Sequence, residues 1–311
     1  MKTCSPTLQL LWLALAAFVP LAAEAGSKVT LDNQSGKPAL EKLAGLAAGQ
    51  PWTNSLGMKF VPVPGTAVRF CVWETRVLDF EAFVKATGHD ATSGMLSVHR
   101  DGLKSGVDNW KSPGFAQGPT HPVVGVSWKD AKAFCEWLTR TERQQGRLTD
   151  QQSYRLPSDA EWSTAIGSGK YSWGDAWPPP NGAGNYAGEE AKTEDTPGGF
   201  TGISGYNDGH PRTSPAGSFK ANPFGLYDLG GNAAEWCEDW YRKEMNSEEL
   251  RGKYRELEED GGGYKYRVLR GASWLVRSQG SLLSSLRRCN APDFRLSFVG
   301  FRCVLAGLPS P

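Results

Sequence analysis

The run Asp228-Leu-Gly-Gly-Asn-Ala-Ala-Glu235 sets two carboxylates on either side of a glycine-rich turn. Hard cations such as calcium take oxygen ligands, commonly carboxylates or amides mixed with backbone carbonyls from an irregular loop. The octet is therefore a candidate cation loop. A competing reading is that Asp228 and Glu235 cap turns and pair with arginines. Further on, Trp274, Arg277, Arg287 and Arg288 bring together the residue types that most often anchor recognition. They form a candidate cleft for a peptide, a glycan or a partner protein. Trp274 can equally be core, and the arginines can instead bridge to Asp293 or to the acidic run Glu235-Trp-Cys-Glu-Asp239.

Several chemistries find no residues to carry them. The histidines (His89, His99, His121 and His210) are scattered without paired metal-ligand spacing, and His121 precedes Pro122, a setting that suits packing. There is no Gly-x-Ser-x-Gly elbow, phosphate loop or dinucleotide fingerprint. Lys and Arg number 34 against 33 Asp and Glu, so no basic excess drives binding to nucleic acid or to a membrane surface. Twelve tryptophans argue for a folded chain.

The elements that must position these residues are partly legible. Met58 to Val63 and Ala67 to Trp73 read as two short strands split by a turn at Pro64-Gly65. Val77, Phe80, Phe83 and Val84, closed by Gly88, give an amphipathic helix. Ser127 to Arg143 is the clearest helix, with Ser127 as N-cap, Asp130 in the third position and Ala131, Phe134, Cys135 and Leu138 on one face. Ser158-Asp-Ala-Glu161 is a capping box opening a helix to about Ile166. From Gly167 to Asn222 the chain is dense in Gly, Pro, Asn and aromatics without periodicity, which reads either as disorder or as a segment organised by something other than helix and sheet. Glu244 to Asp260 reads as a charged, solvated insertion.

Residues 1–25 have the pattern of a secretory signal peptide: Lys2, an apolar run from Leu8 to Leu21, and the small-residue site Ala23-Glu-Ala25. The run is shorter than the ~20 residues a bilayer span needs. Residues 26–50 read as a linker with a short helix at Ala39–Ala48, 51–306 as one folded domain and 307–311 as a tail. Export, periplasmic or secreted, would leave Cys71, Cys135, Cys237, Cys289 and Cys303 in an oxidising compartment.

An ordered series of motifs resembles the formylglycine-generating enzyme (sulfatase-modifying factor) family from about Pro51 to Ala306. They are Asn54-Ser-Leu-Gly-Met-Lys-Phe-Val-Pro-Val63, Glu74-Thr-Arg-Val-Leu-Asp-Phe80, His121-Pro-Val-Val-Gly-Val-Ser-Trp-Lys-Asp-Ala131 and Tyr154-Arg-Leu-Pro-Ser-Asp-Ala-Glu-Trp162. Tyr171-Ser-Trp-Gly174, Pro223-Phe-Gly-Leu-Tyr-Asp-Leu-Gly-Gly-Asn-Ala-Ala-Glu-Trp236, Arg270-Gly-Ala-Ser-Trp-Leu-Val-Arg-Ser-Gln-Gly-Ser281 and Phe298-Val-Gly-Phe-Arg-Cys303 complete it. The resemblance implies an irregular, loop-rich α+β fold with a C-type-lectin-like core. It also implies a Cys135–Cys303 disulfide, and two calcium sites that act as structural clamps. One would use the side chains of Asp228 and Glu235 with carbonyls of Gly231 and Ala233. The other would use the side chains of Asn185 and Asp208 with carbonyls of Tyr186 and His210.

The family's chemistry is a different matter. Its catalytic members carry two cysteines, five residues apart, that hold copper(I) and activate oxygen. The corresponding positions here are Val276 and Ser281. Copper(I) is soft and selects thiolates; a valine offers no ligand, and a serine hydroxyl is a hard oxygen. Cys289 lies too far downstream to substitute. The expected function is therefore a non-catalytic, calcium-stabilised binding or accessory module without copper. The alternative is an oxygen-dependent oxidase that converts a sulfatase cysteine to formylglycine through a rearranged metal site.

Overall fold

A computed structural model describes residues 50–192, 201–241 and 266–307. The signal-like segment, the Ala39–Ala48 helix, the charged insertion at Glu244–Asp260 and all of the tail but Gly307 lie outside them.

Among the described residues, short strands and three α-helices alternate with long irregular loops. The first sheet joins β1 (Trp52–Thr53), β2 (Lys59–Pro62), β3 (Arg69–Cys71), β6 (Ser153–Arg155) and β11 (Val304–Ala306), in the order β1-β2-β3-β11-β6. Its pairings are antiparallel. The second sheet joins β7 (Ala234–Trp240), β8 (Arg267–Arg270), β9 (Arg288–Asn290) and β10 (Val299–Gly300), in the order β10-β7-β8-β9. There β10 runs parallel to β7. β4 (Met95–His99) and β5 (Gly102–Asp108) form a separate hairpin. The turn at Pro64-Gly65 links β2 to β3 as the sequence predicts.

The helices obey their local signals. α1 (Val77–Thr87) ends on Gly88 at φ 68°, a left-handed cap whose N–H donates to the Val84 carbonyl. α2 (Trp128–Gln144) starts at Ser127, whose hydroxyl accepts from the Asp130 N–H while the Asp130 carboxylate accepts from the Ser127 N–H. α3 (Asp159–Ile166) repeats that reciprocal cap with Ser158 and Glu161. Each cap satisfies two backbone donors that a helix N-terminus otherwise leaves orphaned.

Packing then joins the layers. Trp162, Ala165 and Ile166 of α3 sit among Val68, Phe70 and Val304 of the first sheet's neighbourhood and Cys237 and Val268 of the second. α1 meets α2 through Phe80, Phe83 and Phe134, with Trp110 and Phe301 edge-on to the same cluster. The segment after α3 forms only one short 3-10 turn, Glu189–Lys192, among its described residues. Its own core of Tyr171, Tyr186, Ile203 and Tyr206 takes in Ala272 and Leu282 from the chain's last third.

Candidate functional site

The octet Asp228–Glu235 folds as a tight turn running into β7. Asp228 and Asn232 both hold left-handed backbone, at φ 63° and 66°, a conformation that short polar side chains tolerate better than other non-glycine residues. Gly231 lets the turn lie against the neighbouring loop: a Cβ there would sit 2.5 Å from the Asn185 carbonyl oxygen. Asn232 knits the two loops together. Its N–H donates to the Asn185 carbonyl (2.9 Å), and its amide oxygen accepts from Asn185 Nδ2 (3.2 Å) and the Ser214 N–H (2.9 Å).

The carboxylates at the two ends of the octet have different surroundings. Glu235 is buried, and both of its oxygens accept from Arg302: Oε1 at 2.6 and 2.9 Å, Oε2 at 2.8 Å. Oε2 also accepts from the Trp162 indole N–H at 2.9 Å. Each oxygen already takes two donors, which uses its lone pairs. Glu235 therefore does not fit a calcium ligand in this arrangement; it is the partner of a buried arginine. Asp228 fits better. Its Oδ2 accepts from the Gly217 N–H at 2.7 Å, while Oδ1 is buried without a hydrogen-bond partner among the described residues. Burial pushes its carboxyl up to about 6.

The second set comes together as a unit. Asp208 Oδ2 accepts from the Tyr186 N–H (2.8 Å) and Oδ1 from the His210 N–H (2.9 Å), so the four residues Asn185, Tyr186, Asp208 and His210 share one loop junction. The Asn185 side chain is wholly buried and gives its N–H to the Arg212 carbonyl at 2.7 Å. Its Oδ1 has no partner among the described residues. A buried amide oxygen left without a donor costs stability, and an oxygen-seeking cation would satisfy it. Burial pushes Asp208 up to about 7, with Glu190 adding to the effect. The donor set of this junction suits calcium.

Glu74, which opens one of the motifs, is given no site role by the sequence. It is fully buried, its Oε1 accepting from the Ala233 N–H (2.9 Å) and its Oε2 from Asn232 Nδ2 (2.7 Å). Burial, then Asp228 and Glu235, push its carboxyl well above the usual range.

The segment after β8 carries the two positions where the resemblance places copper ligands. Val276 packs against the aromatic cluster of Tyr171, Tyr186 and Tyr206, and its carbonyl accepts from the Ala187 N–H at 3.1 Å. Ser281 ends a 3-10 turn, Gln279–Ser281, where its hydroxyl oxygen accepts from Ser278 Oγ at 2.7 Å. The cysteines lie on other elements: Cys71 on β3, Cys135 on α2, Cys237 on β7, Cys289 on β9, and Cys303 just before β11. Cys135 and Cys303 are both buried with their sulfurs 3.4 Å apart.

Trp274, Arg287 and Arg288 follow the competing reading of core tryptophan and bonded arginines. Trp274 is 1% exposed, its indole N–H donating to the Ser297 carbonyl. Arg287 pairs with Asp159 at 2.6 Å, beside Arg270 on the same carboxylate. Arg288 donates to the carbonyls of Gly271 and Ser281. These two arginines fasten loops, because carbonyls and a carboxylate meet them within the fold. Arg277 is exposed. Asp293 pairs with Lys129 instead.

The model of the Sulfatase-modifying factor enzyme 1-like domain matches residues 69–306. The chain belongs to the formylglycine-generating enzyme family. A formylglycine-generating enzyme from Streptomyces coelicolor is 30% identical over 270 residues, covering 76% of this chain and 77% of that one. An inactive C-alpha-formylglycine-generating enzyme 2 from Bos taurus is 31% identical over 214 residues, covering 64% of this chain and 57% of that protein. Among solved structures, PvdO from Pseudomonas aeruginosa superposes with a TM-score of 0.54 at 20% identity, over 83% of this chain and 98% of that one. That last likeness speaks to the fold alone, the irregular α+β architecture that the motifs lead one to expect.

Proposed function

We propose that this member of the formylglycine-generating enzyme family is an exported, non-catalytic binding or accessory module whose loops calcium clamps. One observation carries the non-catalytic reading. Val276 and Ser281 occupy the positions that the resemblance gives to the copper ligands, and each is engaged locally, the valine in an aromatic cluster and the serine in a 3-10 turn. Neither side chain offers the thiolate that copper(I) selects. The family's copper group does not fit this segment, so no step through it follows. Similarity to a relative described as inactive agrees with this reading without deciding it.

The deciding experiment uses purified mature protein, supplied with copper and oxygen, and a Cys-x-Pro-x-Arg peptide, with an active family enzyme as control. The expected result by mass spectrometry is an unchanged peptide. Conversion of its cysteine to formylglycine would overturn the proposal and favour the oxidase alternative.

Calcium would be held by the Asn185 and Asp208 side chains with carbonyls of Tyr186 and His210; in the separate set of Asp228, Gly231 and Ala233, only the Asp228 Oδ1 is an open side-chain oxygen. Bound there, it would supply charge compensation and fix loops. Export agrees with the character of residues 1–25, and it makes a Cys135–Cys303 disulfide chemically reasonable. The pair would tie α2 to the chain's end across 168 residues. Protein secreted from an oxidising compartment should therefore yield a disulfide-linked peptide pair containing Cys135 and Cys303 after proteolysis without reductant. Recovery of both as alkylated thiols would reject the bridge.

A further inference from the structure

Asn185 and Asn232 are both wholly buried. A side-chain amide serves a cation only one way up, because its oxygen accepts and its NH2 group only donates. The bonds around Asn185 therefore decide whether it is a ligand or a repellent.

Both hydrogens of Asn185 Nδ2 are in use. One goes to the Arg212 carbonyl at 2.7 Å and the other to Asn232 Oδ1 at 3.2 Å. Turning the amide over would set its oxygen against those two oxygens, acceptor against acceptor. Asn185 Oδ1 is thereby aimed to the side where no described residue offers it a donor.

Asn232 is held as firmly. Its Nδ2 donates to Glu74 Oε2 at 2.7 Å and to the Ser214 carbonyl at 3.3 Å, while its Oδ1 accepts from the Ser214 N–H at 2.9 Å. Inverted, that amide would press its oxygen on a carboxylate and a carbonyl. Glu74 is anchored in turn by the Ala233 N–H at 2.9 Å. The Asn232 backbone N–H also donates to the Asn185 carbonyl at 2.9 Å, so main chain and side chain both fix the pair. Asp208 is independent of this chain of bonds, since its oxygens receive the N–H groups of Tyr186 and His210.

We infer that Asn232 is a positioning residue for a cation at the Asn185–Asp208 junction: it fixes the Asn185 amide with its oxygen toward the ion. Glu74 and Ser214 set the polarity of Asn232. The inference rests on the calcium reading above and deepens it. Groups that orient a metal's ligands commonly carry about 10–100-fold of its affinity.

Calcium titrated into metal-free, full-length mature protein by calorimetry tests this role. Asn232→Gly deletes the amide and leaves a residue at ease in left-handed backbone. It should bind calcium about 10–100-fold more weakly than the parent, because Asn185 keeps one acceptor and can turn its NH2 toward the ion. Asp208 remains in place, so binding is weakened and not lost. Adding Asn185→Asp to Asn232→Gly should recover most of the affinity, since a carboxylate presents an oxygen whichever way it lies. A merely structural defect would not be rescued in this way. Val268→Ala, in the core cluster around Trp162, should lower the unfolding midpoint and leave calcium affinity at the parent's value. Parent-like affinity in Asn232→Gly, no recovery in the double variant, or equal weakening in Val268→Ala would each overturn the role of Asn232 and leave the calcium clamp standing. A parent that binds no calcium would overturn both.

Discussion

Arg302→Met is expected to be among the most damaging single substitutions in the chain, with a loss of roughly 3–5 kcal/mol. The guanidinium is wholly buried, and it is the only cation placed against the Glu235 carboxylate among the described residues. It also donates to the carbonyls of Cys71 on β3 and Tyr227 before the octet. One side chain thus ties the first sheet, the octet and the second sheet. Methionine fills much of the volume, so the loss is electrostatic: Glu235 would remain buried beside Glu74 and Asp228 with no compensating charge. That loss is a large share of the 5–15 kcal/mol that holds a typical domain together. Urea unfolding should show the midpoint collapse, and poor soluble yield would accompany it. Adding Glu235→Gln to Arg302→Met should recover part of the stability, because the stranded charge is then gone. A midpoint for the single variant within about 1 kcal/mol of the parent would show that Glu235 is neutral or solvated, and the argument would fail.

The same pair shows where a sequence stops being readable. Ser127 and Ser158 were legible as caps because each finds its partner three residues away, and α1 stopped at Gly88 because only local backbone geometry was at stake. Glu235 was not. Two carboxylates around a glycine-rich turn look alike whether they await a cation or a guanidinium, and the guanidinium comes 67 residues later. Trp274 was read next to arginines close in sequence, yet the cation it stacks against is Arg212, from the loop that follows Asp208. Glu74 opens one of the family motifs, yet nothing local marks it as a buried carboxylate. It becomes important only because Asn232, held in left-handed backbone, turns its amide toward it. The aperiodic stretch after α3 forms little helix and no named strand among its described residues. What the sequence could not convey is that its tyrosines would pack with Ala272 and Leu282 and seat Val276 beside them.

Chelation should expose the proposed calcium clamp through stability, independently of any activity. At pH 8, EGTA is expected to lower the thermal midpoint by about 10 °C, taking roughly 4 kcal/mol for a saturating ligand and a few degrees per kcal/mol for a domain of this size. The pH dependence follows from the carboxyls. Asp208 and Asp228 sit at about 7 and about 6 in the fold, against 3.8 for an ordinary aspartate, and burial is the largest cause of both. The metal-free fold therefore holds these protons more tightly than the unfolded chain does. The contribution of these two carboxyls to stability is therefore fullest below about 4 and is lost as pH rises through 6 to 7, where they are forced to ionise. A bound cation favours the ionised forms and removes that cost. The gap between calcium-loaded and chelated protein should accordingly widen from pH 5 to pH 8. Asp208→Asn separates this from a general effect of chelator. It should erase most of the calcium response and, without metal, leave the protein at least as stable as the parent at pH 8, since no charge is then buried. A response to EGTA that Asp208→Asn leaves intact would place the cation elsewhere. No response at pH 8 in the parent would mean that the unsatisfied Asn185 and Asp228 oxygens are served by water.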